Sequence, residues 1–167
     1  MTHSMVDPAF DLQFRKAMRR LASSVCVISS AREQKKYAMT ATAVCSFSAE
    51  PPSLLICINK YSRLHTLLSQ KLPFCVNILH NTQQDIAIRC SASADDAADD
   101  ETYLPTQPWG LLDNIPYLTE AQANIFCQYA DSLSYSTHTA FIGQMLTIKY
   151  SDKIAPLIYL DGQYRQL

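Results

Sequence analysis

Apolar residues recur along this chain at two spacings, and the change from one to the other maps its elements. Phe10, Phe14, Ala17, Met18 and Leu21 fall at helical intervals. With Asp7 placed to cap and Pro8 suited to a first helical position, they predict a helix from about Pro8 to Leu21. Its basic residues crowd the C-terminal half, where the helix dipole favours them. The pattern then changes to short apolar or alternating runs at about Ser24–Ser30, Tyr37–Ser48 and Ser53–Asn59, which predict strands. The charged segment Ala31–Lys36 reads as a hairpin-like turn between the first two.

A helix over roughly Ser62–Ser69, a strand over Phe74–Leu79 and a second short helix over Thr82–Cys90 follow. The acid-rich stretch Ser91–Glu101 is expected to be a solvated loop, with a lid over a ligand pocket as its functional alternative. Pro105, Pro108, Trp109 and Pro116 mark a further loop. Strand character resumes at Ala121–Ala130, Thr139–Tyr150 and Pro156–Leu160, with Ile142, Leu146, Ile148 and Tyr150 on one face of the second. No repeat and no linker divides the chain. The expectation is a single domain over residues 1–167, mainly β, a barrel or sandwich with an N-terminal helix and short peripheral helices.

Composition narrows the partners. A chain of 167 residues, 48% hydrophobic and 17% charged, can bury one substantial core. A net charge of -1, with no basic cluster beyond Arg15-Lys16 and Arg19-Arg20, gives no electrostatic footprint for nucleic acid. Met1–Asp7 lacks the basic start and apolar core of a secretory signal, and no apolar run approaches the roughly 20 residues that span a bilayer. No membrane association and a cytoplasmic location are expected. The six cysteines contain no CxxC pair and the four histidines are scattered, so no metal site is expected. Cys26, Cys45, Cys57 and Cys75 lie in apolar strand-like runs and read as reduced, buried thiols. With glycine only at Gly110, Gly143 and Gly162, neither a G-x-G-x-x-G fingerprint nor a P-loop can be written. A nucleophile elbow is absent as well.

Candidate chemistry gathers in one stretch. Met39-Thr40-Ala41-Thr42-Ala43 leads through Glu50-Pro51-Pro52 and the run Leu54–Ile58 to Asn59-Lys60-Tyr61-Ser62-Arg63-Leu64-His65. Ser62 as an N-cap leaves free amides at the first turn of its helix, and Arg63 adds a cation. The combination suits an anionic, flat, partly apolar ligand.

Several ordered motifs carry a resemblance to a known family. Ala38–Ala43, Glu50-Pro51-Pro52, Cys57-Ile58-Asn59 with Ser62, Phe74–Leu79, Thr137-His138 with Phe141-Ile142-Gly143, and Leu157-Ile158-Tyr159 near Tyr164 resemble those of the short-chain flavin reductases. Within that family the likeness is to the 4-hydroxyphenylacetate 3-monooxygenase reductase components. The resemblance implies a Greek-key split β-barrel of the FMN-binding type. It also implies a homodimer that transfers hydride from NADH or NADPH to FMN or FAD and supplies reduced flavin to a partner monooxygenase.

In that scheme Thr40, Ala41 and Thr42 line the flavin ring and ribityl chain, and Asn59, Ser62 and Arg63 hold the phosphate end. Asn77 and Leu79 border the isoalloxazine, and His138 stands beside the nicotinamide. Tyr164 closes over the nicotinamide or serves as a dimer contact. For Asn77 a purely local role, satisfying a turn at the end of its strand, is the alternative. The chain departs from the family at Ser136-Thr137, where a glycine usually precedes the histidine element, at Ala38 and at Glu120. Those departures keep two other readings open: a flavin-binding electron carrier without reductase turnover, and an enzyme like pyridoxamine-phosphate oxidase.

Overall fold

The N-terminal helix forms as α1 (Pro8–Met18) in the computed structural model, which describes residues 7–91 and 108–166. The Asp7 carboxylate caps it, accepting from the Ala9 amide at 3.0 Å. The helix stops short of Leu21 and buries none of its side chains, so Phe10, Phe14 and Met18 stay exposed. Most of the acid-rich stretch, from Ala92 to Glu101, lies outside the described residues, as do Pro105 and Met1–Val6.

Twelve strands and two further helices follow: β1 (Ser23–Ser24), β2 (Cys26–Arg32), β3 (Lys35–Ala41), β4 (Val44–Ala49), β5 (Pro52–Asn59), α2 (Arg63–Ser69), β6 (Phe74–Ile78), α3 (Gln84–Ser91), β7 (Trp109–Leu112), β8 (Ile115–Leu118), β9 (Ala123–Tyr135), β10 (His138–Tyr150), β11 (Leu157–Leu160) and β12 (Gln163–Gln166). Seven of them make one antiparallel sheet in the order β3-β2-β6-β9-β10-β5-β4. Its two edge strands, β3 and β4, are consecutive in the chain and separated only by Thr42-Ala43. The sheet therefore rolls until its edges meet at that corner, where the Cys57 amide donates to the Ala43 carbonyl at 3.0 Å. This is the split barrel that the resemblance implies.

The rolled sheet has an apolar inside because its strands alternate. Ile28, Ile56, Ile58, Phe74, Val76, Cys127 and Phe141 fill it, and Leu64 and Leu68 of α2 plug one end. A second core lies outside β2 and β3, where α3 (Ile86, Ala87, Cys90), Leu118 and Leu157 pack on Val25, Val27 and Leu79. The small sheet β1-β11-β12 and the hairpin β7-β8 flank it.

Three sequence expectations are corrected. The expected strand Tyr37–Ser48 is two strands, because the barrel must turn its corner at Thr42-Ala43. The expected loop around Trp109 and Pro116 is the β7-β8 hairpin, whose turn residues Asp113 and Asn114 take left-handed φ values of 48° and 64°. Cys45 is exposed and Cys57 half-buried, whereas Cys26 and Cys75 are buried as expected. Burial pushes the Cys26, Cys90 and Cys127 thiols up to about 12, and Cys75 in the same direction, which makes all four inert. The described cysteines are all free.

Candidate functional site

Three chain segments converge at one end of the barrel because of strand register. Asn59, the last residue of β5, pairs directly with His138, the first of β10. The corner Thr42-Ala43 reaches the same end through the Cys57 bond, two residues before Asn59. Just beyond Asn59 the chain turns into α2. The Asn59 side-chain oxygen accepts from the Tyr61 amide at 3.0 Å, and the Ser62 hydroxyl donates to the Asn59 carbonyl at 2.8 Å. That hydroxyl also accepts from the His65 amide at 3.2 Å, which is the N-cap read from the sequence.

The electrostatics of this mouth are one-sided. Thr42, Ala43, Asn59, Arg63 and His138 are exposed. The Arg63 side chain has no hydrogen bond or ion pair among the described residues. The segments Thr40–Phe47, Asn59–Thr66 and Ser134–Ala140 supply Lys60, Arg63, His65 and His138 and no acidic residue. A rim of hydroxyls, one free side-chain amide and the Lys60 and Arg63 cations suits an anion, and Arg63 is free to take a phosphate in bidentate fashion. Thr42, Asn59, Ser62, Arg63 and His138 of the sequence-derived set are brought together here.

The others are placed elsewhere. The Thr40 hydroxyl donates to the Ala87 carbonyl of α3 at 2.7 Å, which fixes that helix on β3. Ala41 is buried in the barrel core, and Leu79 is wholly buried in the second core. Asn77 is wholly buried between β2, β8 and β9. Its amide nitrogen donates to the Val27 carbonyl at 2.8 Å and the Ser29 hydroxyl at 3.0 Å. Its oxygen accepts from the Leu118 amide at 2.8 Å and the Asn124 amide group at 2.9 Å. Asn77 thus spends its whole bonding capacity inside the fold, a long-range pin rather than the local turn considered above. Tyr164 is half-buried on the second core with its ring edge-on to Tyr159. Burial, then Tyr159 and Cys90, raises its phenol above the usual range.

The residues that position the mouth escaped the sequence reading. His65, on the inner face of α2, bonds the Thr139 hydroxyl through Nε2 at 2.9 Å and stands edge-on to Phe141. Ser134 bonds the same hydroxyl at 3.0 Å. The His65 to Thr139 link ties the helix that carries Ser62 and Arg63 to the strand that starts at His138. The available signal was helical: His65 follows the N-cap by three positions and sits beside the buried Leu64.

Burial, and after it the Lys60 charge, holds the His65 imidazole below its ordinary range. The unfolded chain therefore takes up that proton more readily than the folded one. The stability His65 confers is complete above the ordinary value of about 6.5 and is lost as pH falls below it toward the folded value. Melting temperatures between about pH 8 and about pH 5 are expected to fall more steeply for the parent than for His65→Gln, which keeps a donor to Thr139 but does not titrate. Parallel curves would refute that assignment.

Comparison with known proteins agrees with the fold. The chain is 40% identical over 154 residues to the reductase component of the FADH(2)-dependent resorcinol hydroxylase of Rhizobium sp. (strain MTP-10005), covering 90% of this chain and 84% of that protein. It is 30% identical over 156 residues to the FMN reductase (NADH) RutF of Pseudomonas syringae pv. syringae, covering 93% and 86% respectively. Among solved structures, the flavin reductase PheA2 superposes with a TM-score of 0.81 at 29% identity, covering 94% of this chain and 97% of that one. Residues 18–167 match the flavin reductase like domain, and the chain belongs to that family.

Proposed function

We propose that this protein is an NADH-dependent flavin reductase that supplies reduced FMN or FAD to a separate oxygenase. The observation that carries this reading is the acid-free cationic mouth formed where β5, α2 and the β9-β10 turn meet, in a chain of this family. Its resorcinol hydroxylase relative is named for FADH2 and its RutF relative for FMN and NADH, so both flavins are candidates.

The residues present fit a flavin nucleotide. Arg63 and Ser62, with the free Asn59 amide group, hold the phosphate end, and the exposed Thr42-Ala43 backbone borders the ring. A bound flavin supplies the hydride acceptor; the protein's part is to orient two flat ligands and keep water out of their contact. His138, across the ladder from Asn59, stands where the nicotinamide enters. Thr40, Ala41, Asn77 and Leu79 act on the site only through the fold, Thr40 by fixing α3 on β3 and the other three as buried residues. Tyr164 packs on the second core near Cys90 of α3.

We extend the reading to a homodimer. On the outer face of the barrel Leu133, Ala140 and Cys57 pair across β9, β10 and β5, and next to them Ile142, Leu55 and Cys45 pair across β10, β5 and β4, with Asp131 at the β9 end of that second row; together they make one largely apolar band. This band is incompletely buried, and a second copy of the chain is the occupant that continues the barrel wall. The free thiols support a reducing compartment, the cytoplasm. Among the described residues no helix is long and apolar enough to cross a membrane.

Oxidation of NADH and NADPH, followed at about 340 nm with FMN, FAD or riboflavin added, tests the activity. Flavin-dependent oxidation is expected. Bound flavin without oxidation would favour the electron carrier, and anaerobic bleaching by pyridoxamine phosphate would favour the oxidase. His138→Ala is expected to lower kcat by about 10- to 100-fold while the flavin KM stays within about twofold. A variant as fast as the parent would remove His138 from the nicotinamide side.

A further inference from the structure

The turn that carries His138 is held in an unfavourable shape by one residue from another segment. Tyr135 pairs with His138, so Ser136 and Thr137 alone make the β9-β10 turn. Ser136 has a φ of 46°, the left-handed region in which a side chain is disfavoured and glycine is at no disadvantage. Lys60 spans both turn residues. Its Nζ donates to the Ser136 carbonyl at 2.7 Å and its backbone amide to the Thr137 carbonyl at 2.9 Å. Its ammonium makes no salt bridge to any acidic residue among those described, so it does not serve as half of a surface ion pair. Beyond the turn, Thr139 is pinned by His65 and Ser134, and His138 itself bonds the Thr137 hydroxyl through Nδ1 at 2.9 Å. Apart from its ladder pairing with Asn59, the contacts that set the imidazole's position pass through the turn that Lys60 splints or the strand just after it.

We propose that Lys60 is a positioning residue for His138, splinting the left-handed Ser136 turn so that the imidazole is presented to the nicotinamide side of the mouth. The proposal rests on the flavin reductase reading above. It differs from the obvious role for a lysine beside Arg63, a charge for the flavin phosphate, in what rescues its loss. If Lys60 acts through the turn, a residue content with a positive φ makes it dispensable. If it acts as a charge on the ligand, the shape of the turn is irrelevant.

The test uses Lys60→Met, Ser136→Gly and the double variant. Met keeps the stem and the backbone amide that reaches Thr137, and removes only the ammonium. With the splint, Lys60→Met lowers kcat/KM for NADH by about tenfold. The loss is the same with riboflavin, which has no phosphate, as with FMN. In the Ser136→Gly background the same substitution costs less than about threefold. By NMR, the His138 Hε1 resonance broadens or shifts in Lys60→Met and returns toward the parent position in the double variant.

A defect that disappears with riboflavin, or that persists at full size in the Ser136→Gly background, overturns the proposal in favour of a phosphate contact. Should the parent fail to oxidise NADH with any flavin, the functional reading fails on its own. The NMR cycle then still decides whether Lys60 and Ser136 are coupled through His138, and an unmoved resonance in Lys60→Met refutes the splint.

Discussion

Asn77→Asp is expected to abolish folding at ordinary temperatures rather than to empty a flavin site. The side chain is wholly buried and satisfied on both of its polar atoms. Aspartate keeps the two bonds that Asn77 accepts from Leu118 and Asn124, but it loses both donors to Val27 and Ser29 and places a carboxylate in the core. An uncompensated buried charge with facing acceptors costs roughly 4 kcal/mol or more, against a total stability of about 5–15 kcal/mol for a domain of this size. Asn77→Ala, which leaves the Leu118 amide without its partner, is expected to cost about 2–4 kcal/mol and remain measurable. Its denaturant midpoint should drop while the flavin KM of the surviving folded protein holds. An unchanged midpoint together with a lost flavin KM would return Asn77 to the ring-bordering role that its motif implies.

That residue shows where the sequence stops being legible. An asparagine between Val76 and Ile78 looks the same whether it faces a ligand or crosses the interior to Val27 and Leu118, because its partners lie 41 to 50 residues away. Local chemistry carried further. The caps at Asp7 and Ser62 stand as read, since both are decided within three residues. The strands β2, β5, β6, β9 and β10 were legible from their apolar runs, which are long enough to fix a buried face.

What escaped has physical reasons of its own. The corner at Thr42-Ala43 is unmarked by glycine or proline, being imposed by closure of the sheet and not by local preference. The β7-β8 hairpin was hidden by Pro108 and Pro116, although Asp113-Asn114 was a usable turn signal. Strand β12, Gln163–Gln166, has no apolar alternation and forms only by pairing with β11 across the Asp161-Gly162 turn. In the mouth, Asn59, Ser62 and Arg63 were legible because they are neighbours in the chain. Lys60 and His65 were not, because the contacts that give them meaning reach Ser136 and Thr139, 76 and 74 residues on.

Gly143 joins the fold to the mouth, and substituting it is expected to damage both. A Cβ built there would stand 2.5 Å from Cζ of Phe74 and 2.9 Å from Cβ of Cys127. Both neighbours are wholly buried, so neither can swing into solvent. Overpacking of this kind typically costs about 1–3 kcal/mol for alanine and more for a branched residue, so Gly143→Ala should lower the denaturant midpoint clearly and Gly143→Val should leave no folded protein. Phe74→Leu removes the ring atom that meets the new methyl. It is destabilising alone, since it opens a void, yet in Gly143→Ala it should recover roughly 1 kcal/mol relative to the sum of the two single changes. Recovery is incomplete because the Cys127 Cβ belongs to the strand and cannot be shortened. The remaining clash can be relieved only by β10 moving away from β6 and β9, which shifts the strand that begins at His138. Folded Gly143→Ala should therefore lose kcat for NADH oxidation while Phe74→Leu alone keeps it. Strict additivity in stability, with parental turnover in the alanine variant, would show that the sheet absorbs the methyl locally and that Gly143 has no bearing on the mouth.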